Sequence, residues 1–123
     1  MVISKMESQL TKLEALADEM EELVEEIRCI DAKIEVERGF VIDIETSVGF
    51  SPEKVLHVAR FEIMRARETL AHLDQPHTFR WFKSQQKKDA TDIPVMVQSQ
   101  TRTLQRSIRT LNELKDTLND VFR

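Results

Sequence analysis

Along the first 48 positions, Met6, Leu13, Met20, Ile27, Ile34, Val41 and Val48 recur every seventh residue, and Leu16, Leu23, Ile30 and Ile44 follow three residues behind their neighbours. That is the a/d spacing of a helix lying lengthwise against others. The repeat keeps its phase across Gly39, with Glu37 at one of its core positions. It predicts a single helix over about residues 3–48, bent at the glycine and, at about 1.5 Å per residue, roughly 70 Å long. Leu10, Ala17, Val24 and Phe40 flank the stripe, which makes it wider than a two-stranded seam requires and favours packing in a bundle.

Gly49 stops this pattern, and Ser51-Pro52-Glu53 starts a second one with a capping hydroxyl, a proline suited to the first turn and an acid near the positive end of the helix dipole. Leu56, Ala59, Ile63, Ala66, Leu70 and Leu73 carry the second stripe to about residue 74, before Pro76. The short link between the two predicts an antiparallel hairpin. A connection over 75–91 then leads to a third helix over about 92–122, capped near Thr91 or Asp92 and striped by Val97, Leu104, Ile108, Leu111, Leu118 and Phe122. The expected fold is all-α: one domain over 1–123, a three-helix elongated bundle with a long coiled-coil-like amino-terminal helix. A second helix of about 23 residues covers only half of such a first helix. Met6, Leu10, Leu13, Leu16, Met20 and Leu23 are therefore expected to form an oligomer interface, in a homodimer more readily than in a tetramer.

The composition of 41% hydrophobic residues, two Gly and no Tyr fits an ordered helical protein. No apolar run reaches the roughly 20 residues of a membrane span, and the start lacks a signal-peptide core, so a cytoplasmic protein without a membrane partner is expected. The lone Cys29, beside the first stripe, is read as a reduced structural thiol. Charge is unevenly spread: residues 1–50 hold 13 acidic and 5 basic side chains, and residues 51–123 hold 9 and 13. The two parts are therefore expected to attract each other within the fold.

The connection carries Phe79, Arg80, Trp81, Phe82 and Lys83, a grouping that fits either a plug on the bundle end or a docking site for a protein partner. Lys87 and Lys88, with the ridge Arg102, Arg106 and Arg109, offer an alternative: contacts to a nucleic-acid backbone. The ridge is expected to face the acidic first helix before it serves a phosphate backbone. Glu21, Glu22, Glu25 and Glu26 form carboxylate pairs without the Glu-x-x-His companion of a di-iron bundle. Glu22 and Glu25 resemble the first half of the magnesium site of all-helical nucleotide pyrophosphohydrolases, whose second half, Glu-x-x-Asp, does not occur in 51–74.

Arg67 and His72, spaced Arg-x4-His, resemble the motif of helical HEPN-type ribonucleases. The resemblance implies phosphate stabilisation by the Arg and proton transfer by the His, with Glu68 standing where that family places another polar residue. No resemblance extends over the whole chain. The expected function is a non-enzymatic helical interaction or adaptor module acting as a homo-oligomer, with no cofactor, no metal and a protein partner. The alternative is a nucleic-acid-associated helical protein, including an HEPN-like ribonuclease.

Overall fold

The computed structural model describes residues 2–73 and 92–121. Four helices make up this part of the chain: α1 (Val2–Arg38), α2 (Ile44–Val48), α3 (Pro52–Leu73) and α4 (Ile93–Val121). The all-α bundle expected from the periodicities is present. Its first helix, however, ends ten residues short of the expected limit. Gly39 lies at φ +78°, and its N–H donates to the Glu35 carbonyl at 3.0 Å, the left-handed terminus that a side chain would resist.

The heptad phase continues beyond this point but the helix does not. The Ile42 N–H donates to Asp31 Oδ1 at 2.9 Å, tying the chain back against α1. Asp43 then caps α2: its Oδ1 accepts from the Glu45 N–H at 3.2 Å and its Oδ2 from the Thr46 hydroxyl at 2.6 Å. Gly49, at φ +82°, ends α2 with its N–H on the Glu45 carbonyl. Ile42, Ile44 and Val48, half-buried against the core, thus belong to a short corner that packs against α4 rather than to an extension of α1.

Ending α1 at Arg38 changes the partnership along it. The 22 residues of α3 run back beside the middle and start of α1, as the contacts Arg28–Glu53, Arg60–Asp18 and Arg67–Glu14 show. In contrast, α4 runs parallel to α1: Leu10 clusters with Ile93, Lys115 pairs with Glu26, and Arg38 reaches the Val121 carbonyl at 3.5 Å. The bundle is therefore up, down, up. Of the three long helices, α1 packs most extensively on α4 and next on α3, while α3 and α4 touch each other least.

The core follows from this order. Leu13, Ala17, Met20, Leu23, Val24, Ile27 and Ile34 of α1 meet Ala59 and Ile63 of α3 and Leu104, Ile108, Leu111 and Leu118 of α4. At the other end Leu10, Ala66, Leu70 and Ile93 close the bundle, with Ile3, Met6 and Leu73 packed around them. Each fully buried Leu or Ile is worth about 1.5–3 kcal/mol relative to exposure. Ser107, the one buried polar residue among those described, donates its hydroxyl to the Thr103 carbonyl at 2.7 Å, so it leaves no orphan group.

The oligomer interface expected on α1 is corrected by this packing. Leu10, Leu13, Met20 and Leu23 are buried, and Met6 and Leu16 are half-buried, by α3 and α4 of the same chain. The length mismatch behind that expectation assumed a first helix of 46 residues, whereas α1 has 37. The surplus to be covered by a second subunit does not exist there.

Candidate functional site: the outward face of α3

The helix α3 is built with two apolar sides. Its start is fixed by Ser51, whose hydroxyl accepts from the Lys54 N–H at 3.3 Å and whose carbonyl accepts from the Val55 N–H at 3.1 Å. Pro52, Ala59, Ile63, Ala66 and Leu70 are buried against the other helices. At about 100° per residue, Val58, Phe61 and Met64 fall on the opposite side. There they are 47%, 45% and 48% exposed. A helix covered on one side ordinarily presents polar residues on the other, so three large apolar side chains at intervals of three residues are the departure that marks this face.

Charges frame the stripe without covering it. Arg65 holds its guanidinium over the Phe61 ring, 6.0 Å from the centroid, a cation–π arrangement that orders both side chains. Lys54 and Glu68 are exposed at the two ends of the stripe. Along the boundary with α1, Arg60 bonds Asp18 at 3.2 Å and also meets Glu21, Arg67 contacts Glu14, and Arg28 joins Glu25 at 2.9 Å to Glu53. These pairs line the seam with α1, while burial of Ala59, Ile63, Ala66 and Leu70 sets the rotation of α3 that aims Phe61 outward. Beside Met64 a shallow groove is lined by Glu14, Arg60, Ile63, Arg67 and Glu68.

The residues singled out from the sequence fall elsewhere. Phe79, Arg80, Trp81, Phe82, Lys83, Lys87 and Lys88 lie outside the described residues. Arg102, Arg106 and Arg109 are exposed on the side of α4 away from the core, so this ridge does not face the acidic first helix as one expectation had it. Lys115 makes that contact instead. The ridge also changes sign along its length: the same alternation of four and three residues continues into Glu113, Asp116 and Asp120, all exposed.

Arg67 and His72 are five residues apart on one continuous helix, hence about 140° apart around it, and Arg67 is engaged by Glu14. A single chain does not bring them together. Of the four clustered carboxylates, Glu21, Glu25 and Glu26 are held in ion pairs with Arg60, Arg28 and Lys115. Among the described residues no group of three or more His, Cys, Asp or Glu could hold a metal ion, and no helix is long and apolar enough to cross a membrane. Cys29 is free and exposed, not the packed thiol expected beside the stripe, because it points off the side of α1 that α3 and α4 leave uncovered.

Compared with protein-family models, with curated proteins and with solved structures, the chain matches none. The outward stripe was present in the sequence as Val58, Phe61 and Met64. A single helical period does not reveal it, because Ala59, Ile63, Ala66 and Leu70 already complete one apolar face of the same helix.

Proposed function

We propose that this chain is a non-enzymatic helical interaction module that works as a homo-oligomer, and that it engages protein through the outward face of α3. The observation supporting this reading is the exposure of Val58, Phe61 and Met64 on the side of α3 opposite its core residues. Aromatic and Met side chains flanked by Arg are the composition of interface centres, and no packing requirement of the bundle calls for them there. Substituting Phe61→Lys and Met64→Lys removes the apolar centre without touching the core. The expected result is loss of protein capture from native lysate, at unchanged helicity and melting temperature, with wild-type capture surviving nuclease treatment. Capture indifferent to the double substitution would refute the assignment of this face.

The second reading, nucleic-acid association, is favoured by the exposed row Arg102, Arg106 and Arg109. It is opposed by the row's own continuation into Glu113, Asp116 and Asp120, which would repel a phosphate backbone following the same line. Binding of an RNA or DNA oligonucleotide that weakens steeply with salt and is lost on Arg106→Glu would establish it.

A further inference from the structure

Resting on the interaction-module reading, we propose that the occupant of the outward α3 face is the same face of a second copy, with two α3 helices paired antiparallel about Phe61. The face is self-complementary when reversed. Val58 and Met64 stand three residues on either side of Phe61, and Lys54 and Glu68 stand seven residues on either side. In an antiparallel pair with its two-fold axis at Phe61, the ring meets the partner's ring, Val58 meets the partner's Met64, and Lys54 meets the partner's Glu68. The last two contacts each occur twice, as an isologous interface requires.

Opposite charges at mirrored positions are what give this pairing its direction. A parallel pair in register would set Lys54 against Lys54 and Glu68 against Glu68, whereas the antiparallel pair sets each against its opposite. Neither residue forms an ion pair with another described residue, unlike Glu53, which meets Arg28, and Arg67, which meets Glu14. At about 100° per residue, Lys54, Val58, Met64, Arg65 and Glu68 all lie within about 60° of Phe61 around the helix. The stripe is thus narrow enough for one helix to cover. The layer joining His57 to the partner's Arg65 contributes no attraction. Arg65 instead retains its place against the Phe61 ring, at the margin of the contact.

The face is also small. The span Lys54–Glu68 is about 21 Å of helix, and one helix pair of that length buries less than the roughly 1,200–2,000 Å² of a standard stable interface. The dimer is accordingly expected to be reversible, with a dissociation constant on the order of tens of micromolar, and its end charges make it weaker in high salt.

Sedimentation equilibrium on purified full-length protein tests the proposal. The expected result is a monomer–dimer equilibrium in the micromolar range, shifted at least tenfold toward monomer by Phe61→Lys, with unchanged circular dichroism. Lys54→Glu and Glu68→Lys should each weaken self-association alone, because each sets like charges in both end layers. An equimolar mixture of these two variants should recover it as a heterodimer, because both end layers then hold opposite charges.

A dimer insensitive to Phe61→Lys, or variants that fail to complement each other, would overturn the register. A wild-type monomer at all concentrations would overturn self-pairing. If lysate capture still depended on Phe61, the interaction-module reading would survive with a different protein as occupant. If neither capture nor sedimentation responded to Phe61→Lys, both would fail. A monomer in which Phe61→Lys shifts the emission of Trp81, the single Trp, would overturn the proposal in favour of the chain's own 74–91 segment.

Discussion

Gly39 occupies a backbone conformation at φ +78° with nothing within 4 Å of where a Cβ would stand, so the cost of a side chain there is conformational alone. Gly39→Ala is expected to destabilise the protein by about 1 kcal/mol, lowering the melting temperature by roughly 3–5 °C. An uninterrupted helix through this position would respond in the opposite sense, since Ala exceeds Gly in helix propensity, and a thermal melt therefore distinguishes the two. Asp43 is the second residue on which the corner depends. The Thr46 hydroxyl, with smaller contributions from the Thr46 and Glu45 backbone, holds its carboxyl below the usual aspartate range. A carboxylate whose pKa is lower folded than unfolded stabilises the folded state above its unfolded pKa, and that stability fades as pH falls through the folded value. Asp43→Asn should therefore lessen the acid sensitivity of the melting temperature below about pH 4 while leaving it nearly flat from pH 6 to 8. An unchanged acid limb would mean that the cap does not hold in solution.

Where α3 and α4 begin was legible because the chain marks both starts chemically, with Ser51-Pro52 and with Asp92-Ile93-Pro94. The end of α1 was not legible, because Val41, Ile44 and Val48 keep the heptad phase while serving a corner that turns back over α4. Periodicity reports that apolar residues need covering and not that the backbone continues straight. A helix running on to residue 48 would leave an uncovered amino-terminal stripe for a second subunit, whereas α1 ends at Arg38 and α3 and α4 bury Leu10, Leu13, Met20 and Leu23. The two pictures predict different behaviour for Leu13, which is 1% exposed. Leu13→Glu is expected to cost more than about 3 kcal/mol, a large share of the 5–15 kcal/mol of a typical domain. The expected product is an unfolded or molten chain, read by loss of amide dispersion in NMR spectra. A folded monomer with native spectra would restore the interface on α1. Of the candidate site only the second stripe is legible in the sequence; its exposure depends on which face of α3 the other helices bury, namely Ala59, Ile63, Ala66 and Leu70.

The excess of negative charge in residues 1–50 and of positive charge in residues 51–123 is resolved inside the bundle, where α1 supplies acids to bases from α3 and α4 along its length. These contacts are solvent-exposed, with the Arg60 side chain 38% accessible, so each orients more than it stabilises. Arg60→Ala should cost no more than about 1 kcal/mol in low salt, and the difference from wild type should shrink in about 0.5 M NaCl; chemical denaturation at both salt concentrations measures it. The packing of α4 on α1 has a bearing on synthesis as well. Lys115 meets Glu26 across 89 positions of sequence, and the most extensive helix contact among the described residues joins α1 to α4. On a ribosome adding about 5–20 residues per second, α1 and α3 emerge with one side of the core bare for about 2–10 seconds before α4 follows. Nascent chains stalled after residue 91 are expected to bind a hydrophobic dye or a holding chaperone, and chains released beyond residue 121 are not. Because α4 is made after α1 and α3 and closes the core, a chain cut short before it leaves Leu13, Met20 and Ile27 open to recognition, and an incomplete product carries its own mark for disposal.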